Sequence, residues 1–295
     1  MAETVFDNID PVIMERIKNL RLIDDELMTI VFNGDKEATE LLIRILLNRN
    51  DLKVTKSMTQ EQKHNLFGRS IKLDIVAEDI FKTEYNIEIQ RADKGAGAKR
   101  IRYHQAMIDS HTLKKREDFE TLPNLYIIFI LEHDMFGRNE PIYSVSKTLN
   151  IKDEDGNNLL FDDGCNIMYI NGEYRGDDAL GKLMHDFSTP NADEMIYNSL
   201  ADKVRFYKQD ETGVRMTSRI VQEYGDERAA EALKQGIQQG IQQGIQQGIQ
   251  QGIQQGEQKR AIEDAKNLYA NKVPIETIAN SLKMTIKEIQ EIINS

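Results

Sequence analysis

The sequence predicts an α/β fold: a mixed sheet flanked by helices, followed by a repeat helix or linker and a small C-terminal helical unit. Three observations lead there. Residues 69–78 and 85–90 alternate apolar with polar side chains and read as a strand pair. The run 124–131 is apolar throughout, as a strand buried on both faces must be. Helical spacing of apolar residues brackets both, over 24–33, 36–49 and 97–116.

Element by element, helix 36–49 is set by Leu41, Leu42, Ile45 and Leu46, and a strand is expected over 52–58. Residues 71–78 and 84–91 form the hairpin. In its first strand Ile71, Leu73, Ile75 and Ala77 share one face, and Lys72, Asp74, Val76 and Glu78 the other. In its second, Asn86, Glu88 and Gln90 oppose Tyr85, Ile87 and Ile89, so one face reads as core and the other as chemistry. Pro141 precedes a strand at 142–148, and 166–170 reads as another. Gly, Asp and Asn mark loops at 134–137 and 153–158. Helices at 176–187 and 192–208, parted by Pro190, close the domain.

With 295 residues, 40% of them hydrophobic, the chain can hold one sizeable core and a small second unit. The divisions expected are 1–208, a connecting segment 209–257 and a helical unit 258–295. No apolar run approaches the roughly 18 residues that span a bilayer, and residues 1–11 are acidic without a signal-peptide core, so a cytoplasmic protein is expected. Cys165 is the only cysteine, which excludes an intrachain disulfide and a cysteine-rich zinc site. The five histidines lack ligand spacing and read as ordinary surface or helix residues.

A hairpin symmetric about Phe81 sets Asp74 opposite Glu88 and Lys72 opposite Gln90, with facing Cβ atoms about 5 Å apart. Two carboxylates so close repel each other unless a cation lies between them. A hard divalent ion, held by an Asp and a Glu with waters and phosphate oxygens, meets that need. The plainer reading of the same alternation is a solvated face of an ordinary sheet.

The stretch 73–90, LDIVAEDIFKTEYNIEIQ, resembles the Asp…Glu-x-Lys/Gln core of the PD-(D/E)XK nucleases, in the form carried by the Rpn recombination-promoting nucleases, also described as PD-(D/E)XK family transposases. The resemblance extends over about 20–190, through an opening helix at 25–32, an Arg/Tyr-bearing helix at 99–107 and the strand at 125–131. It implies a restriction-endonuclease-like mixed sheet and a metal-dependent DNA endonuclease that promotes recombination or transposition-like events. Asp74, Glu88 and the carbonyl of Ile89 would bind Mg²⁺ (Mn²⁺ as the substitute), Gln90 would position the attacking water, and Asp25 or Glu26 would reach the metal site through water. The sequence departs from the pattern where Gln90 replaces the common Lys and where His104 stands in place of a second Tyr. Gln adds no positive charge. Lys72, across the hairpin, is the first candidate to supply it and Arg100 the second; the other possibility is a weak or inactive DNA-binding or assembly protein on a nuclease-like scaffold.

The net charge of −11 disfavours DNA affinity over the whole surface. Between Arg91 and Arg116, however, eight basic residues face only Asp93 and Asp109. From this segment Arg91, Lys94, Lys99, Arg102 and Tyr103 are the expected DNA contacts, against the plainer reading of a solvated helix. Five copies of Gly-Ile-Gln-Gln begin at Gly236. A four-residue repeat nearly matches the helical period, so Ile237 to Ile253 make a slowly drifting stripe, while each Gly costs about 1 kcal/mol relative to Ala. Such a helix needs a partner, giving a homo-oligomer, a dimer in the simplest case; the other reading is a flexible linker. Helices at 258–270, 275–282 and from Thr285 onward would pack on Ile275, Ile278, Leu282, Ile289 and Ile292 with helix-turn-helix spacing. Basic and acidic residues cancel after Gly236, which gives this unit no charge for DNA.

Overall fold

The computed structural model describes residues 9–91 and 97–295. The chain forms two compact units, Met1–Gly225 and Asp226–Ser295. The first is a mixed six-stranded sheet with helices on both faces. Its strands are β1 (Val54–Lys63), β2 (Ile71–Asp79), β3 (Glu84–Gln90), β4 (Leu125–Leu131), β5 (Ile142–Val145) and β8 (Cys165–Asn171), in the order β1-β2-β3-β4-β8-β5. β3, β4 and β8 are parallel to one another and the remaining pairs antiparallel. A separate ribbon pairs β6 (Thr148–Lys152) with β7 (Asn158–Leu160).

One face of the sheet is covered by α2 (Asp25–Phe32), α3 (Lys36–Leu47), α5 (Ala179–Ser188) and α6 (Asn198–Gln209), around Phe32, Leu42, Ile87, Ile130 and Phe187. The other face packs under α4 (Ala98–Thr112), through Ile101, Met107 and Ile108 against Ile127 and Phe129. Both faces are therefore packed, which corrects the expectation of one core face and one face given to chemistry, and equally the plainer reading of a solvated face. Ile71 and Leu73 pack on the α4 side whereas Ile75 and Ala77 pack on the opposite side. The apolar set of β2 divides at Asp74.

Several elements differ from the sequence reading, each for a local reason. Helix α1 (Pro11–Asn19) was not expected, although Asp10 caps it by accepting from the Val12 N–H at 2.7 Å and Pro11 stands in its first turn. β1 runs to Lys63 because antiparallel pairing with β2 carries its polar half. α4 stops at Thr112, and Arg116 takes a left-handed φ of 76°, which places the 114–116 basic cluster in a turn. The expected helix 192–208 begins at Asn198, since the buried Asp186 accepts the N–H groups of Ile196 (2.7 Å) and Tyr197 (2.8 Å) in an extended segment.

Helix α7 (Glu211–Ala270) contains the repeat, and α8 (Ile275–Leu282) and α9 (Ile286–Asn294) follow. In the second unit Ala265, Ile278, Ala279 and Ile289 are buried, with Ile275, Leu282 and Ile292 packed around them. Thr285 and Glu288 form a reciprocal capping box at the start of α9. Among the described residues no helix is long and apolar enough to cross a membrane.

The turn joining β2 to β3 is held by Asp79, which is fully buried. It accepts from the Phe81 N–H (2.8 Å), the Thr83 N–H (3.0 Å) and the Tyr85 hydroxyl (2.8 Å). Asp79→Ala strands two buried donors, on Thr83 and Tyr85, and releases the more exposed Phe81 N–H, so it should lower unfolding free energy by about 3 kcal/mol in a denaturant titration. A loss below about 1 kcal/mol would show that the turn holds without it.

Candidate active site

The strand pairing opens where the two acids lie. β2 and β3 pair from Glu78–Glu84 to Ile75–Ile87, the register expected for a hairpin symmetric about Phe81, and the ladder ends there. On its other side β2 pairs through Thr59–Ile75 and Glu61–Leu73, with Gln60 between them at a left-handed φ of 56°. Asp74 thus falls in an interruption of both ladders. Its carboxylate takes over part of the missing bonding: Oδ2 accepts from the Ile89 N–H at 2.8 Å and Oδ1 from Gln60 Nε2 at 3.4 Å.

Glu88 is 1% exposed, lying beside Phe129 in the β3–β4 register. Arg100 reaches it from α4. Its Nη2 donates to Glu88 Oε2 at 3.1 Å, Nη1 donates to Gln90 Oε1 at 3.1 Å, and Nε donates to His104 Nε2 at 3.3 Å. The guanidinium also lies 5.9 Å from the centre of the Phe129 ring. One planar cation therefore orients three side chains from two elements.

Burial pushes the Asp74 carboxyl above its ordinary range and the charge of Asp25 adds to this, against the Ile89 N–H and Arg100. Burial likewise raises Glu88, the charge of Asp74 adds to it, and Arg100 opposes both. Burial lowers His104 to about 4, so it is neutral near pH 7, helped by the charges of Arg100 and Arg69. Because its Nε2 accepts from Arg100, its proton resides on Nδ1, 3.7 Å from Glu88 Oε1. That nitrogen and that oxygen are buried and have no hydrogen-bond partner among the described residues.

These features fit a hard divalent ion. Among the described residues no group of three or more His, Cys, Asp or Glu is placed to hold a metal. Magnesium, however, needs only one or two carboxylates, with waters and phosphate oxygens completing its shell. Here two acids from adjacent strands repel each other, and Glu88 keeps one buried oxygen unsatisfied.

Residues 32–173 match the family of PD-(D/E)XK nuclease family transposases. This part of the chain belongs to that family. The match contains Asp74, Glu88, Gln90 and Arg100, and the six-stranded mixed sheet is consistent with the restriction-endonuclease-like fold. Neither the comparison with curated proteins nor that with solved structures returned a match.

The remaining expected residues of this PD-(D/E)XK domain distribute unevenly. The β2–β3 ladder ends at Ile75–Ile87, short of the expected Lys72–Gln90 position, and Lys72 Nζ lies 5.4 Å from the centre of the Tyr224 ring. Arg91, expected on the DNA face, is engaged by Asp24 at 2.8 Å and Glu132 at 3.3 Å. Lys94 lies outside the described residues. Lys99 and Arg102 are exposed on α4, and the Tyr103 hydroxyl donates to the Arg69 carbonyl. Of the two acids of α2, Glu26 pairs with Arg16 at 3.1 Å, whereas Asp25 acts on the site through its charge on Asp74.

Sequence reasoning missed Arg69 and the loop 64–70 as site features. Arg69, with Asn65, Gly68 and Ser70 of the loop and with Lys72, Lys99 and Arg100, lines a cleft of about 1100 Å³, which Arg100 joins to Glu88. The available signal was an Arg directly before the strand that carries Asp74.

Both raised carboxyls bind protons more tightly in the folded protein than in the unfolded chain. Metal-free stability should therefore be fullest below the ordinary carboxylate range and fall as pH rises from there toward neutrality and above. Magnesium should restore Tm increasingly as pH rises, because binding displaces those protons. Thermal melts from pH 5 to 8 with EDTA or Mg²⁺ test this. A magnesium effect of equal size at all pH values, or one retained in Asp74→Asn, would place the ion elsewhere.

Proposed function

We propose that the protein is a metal-dependent DNA endonuclease that hydrolyses phosphodiester bonds in recombination or transposition-like events. The observation that carries this reading is the pair of repelling acids in a broken ladder, with Arg100 spanning Glu88 and Gln90. Asp74 and Glu88, with the carbonyl of Ile89, would hold Mg²⁺ or Mn²⁺. The ion supplies a Lewis acid and lowers the pKa of a water. Gln90 orients the attacking water, and Arg100 offsets charge developing on the phosphate. The basic cleft, with Arg69 and Lys99, together with the exposed Arg102 of α4, draws the backbone toward acids that would otherwise repel it.

Arg100 also accounts for Gln90. A lysine at position 90 would direct an ammonium at this guanidinium, whereas the Gln90 carbonyl oxygen accepts from it. The strand has given up the cation and the helix provides it. The same contact favours the second reading, a catalytically weak or inactive DNA-binding protein, since Arg100 already satisfies one oxygen of Glu88.

Plasmid nicking separates the two. Wild type should cleave with Mg²⁺ and not with EDTA, and Asp74→Asn should abolish cleavage while the protein stays folded. Arg100→Met should lower turnover roughly a hundredfold to a thousandfold, the cost of one preorganised stabilising group, and Lys72→Met much less. Mg²⁺-independent DNA binding without nicking by wild type would establish the second reading; normal cleavage by Arg100→Met with a dead Lys72→Met would return the cation to the strand.

Assembly is proposed as a dimer through the repeat. Ile237, Ile241, Ile245, Ile249 and Ile253 are each more than half exposed, and among the described residues a Cβ at any repeat glycine from Gly236 to Gly256 would meet nothing within 4 Å. Both rows follow the i±4n direction, so the Ile ridge of one copy fits the Gly groove of another, crossing at about −50°. Truncation before Gly236 should leave a folded nuclease domain of lower mass by light scattering that nicks but rarely linearises plasmid at low concentration. Since residues 236–295 carry no net charge, attraction to DNA should be little changed. Unchanged mass and linearisation would reduce the repeat to a tether.

A further inference from the structure

We propose that Phe67, with Leu66, is a base-stacking wedge: the loop between β1 and β2 presents it to an unstacked nucleotide of a DNA strand whose phosphates occupy the basic cleft. This rests on the DNA-binding reading above and narrows its substrate class to DNA containing an unpaired base.

Phe67 is 99% exposed and Leu66 91%. Their exposure is built into the loop. The Phe67 N–H donates to Asn65 Oδ1 at 3.0 Å, the Asn65 N–H donates to Ser70 Oγ at 3.1 Å, and Asn65 Nδ2 donates to the Tyr103 hydroxyl at 3.1 Å. Tyr103 in turn donates to the Arg69 carbonyl, which fastens the loop to α4. Gly68 leaves room for this clasp, since a Cβ there would stand 3.0 Å from Asn65 Nδ2. Two large apolar side chains are thus held in water by a bonded turn.

The setting selects the occupant. Asn65, Gly68, Arg69 and Ser70 form one wall of the cleft and α4 brings Lys99 and Arg100 to the other, with Lys72 also lining it. Among the described lining residues there is no acidic side chain. Phe67 is the chain neighbour of the lining residue Gly68, and an aromatic ring next to a cationic groove is the combination that tracks a phosphate backbone while stacking on its bases, as apolar wedges open base steps. The surroundings are polar and positively charged, unlike the apolar centre of a protein interface.

The chain contains no tryptophan, so Phe67→Trp provides a single indole fluorophore at the loop tip. The full-length variant is mixed in EDTA with a fluorescein-labelled duplex, or with the same duplex carrying a three-nucleotide bubble. Indole emission of Phe67→Trp should be quenched by the bubbled DNA and much less by the duplex. Phe67→Ala should lose roughly tenfold in affinity for bubbled DNA, with duplex affinity unchanged, and Phe67→Tyr should retain the preference. DNA binding by anisotropy with unaltered indole emission, and an unchanged bubble-to-duplex ratio in Phe67→Ala, would overturn the wedge while leaving the nuclease reading intact. A lower mass of Phe67→Ala by light scattering would make the loop a contact between copies and likewise overturn it. Failure of wild type to bind either DNA would refute both readings.

Discussion

The sheet of the first unit carries two carboxylates where both its faces are packed, and much of the local architecture answers that constraint. An uninterrupted ladder would press Asp74 and Glu88 together with nothing to balance their charge. Instead the pairing stops at Ile75–Ile87, Gln60 takes a left-handed φ on the opposite strand, and β2 changes cores at Asp74. The bonding lost from the ladder is partly recovered when Asp74 accepts the Ile89 N–H. Breaking the sheet and positioning the first acid are therefore one structural event.

Glu88 is balanced differently. It is buried, so its charge must come from within the fold, and Arg100 supplies it from a helix. A guanidinium can do this because it is planar and donates along several directions: to Glu88, Gln90 and His104 at once. A lysine on the strand would offer one point charge and leave His104 without its donor. Gln90 and His104, each a departure when read alone, form a consistent set once Arg100 is placed between them. A neutral imidazole can accept from the guanidinium, which a protonated imidazolium, with no acceptor nitrogen, could not do.

The legible parts of the fold were those fixed by period. The alternation around Asp74 and Glu88, the register about Phe81 and the apolar run of β4 specify the central strands, and helical spacing specifies α2, α3 and α4. What escaped depends on single polar contacts between distant residues. Nothing local in 192–208 says that Asp186 will draw the Ile196 and Tyr197 N–H groups out of a helix. Nothing local says that Lys72 will lie over Tyr224, more than 150 residues away. The expected facing of Lys72 and Gln90 depends on where a ladder ends, and alternation continues through Asp74 in the sequence although the β2–β3 ladder does not.

The same contrast separates the two uses of apolar residues outside the core. Leu66 and Phe67 are exposed on a short loop whose geometry is set by Asn65, Tyr103 and Ser70, so two side chains suffice to present a fixed shape. The Ile row of α7 has no such clasp. Its glycines weaken the helix about once per turn, and they are the same positions that leave the groove open. Replacing them with Ala would strengthen the isolated helix and fill the groove, so helix propensity and self-association should respond in opposite directions. That opposition follows from a repeat whose Ile ridge and Gly groove run as parallel rows along the same i±4n direction. A linker selected only for flexibility has no reason to keep either in register.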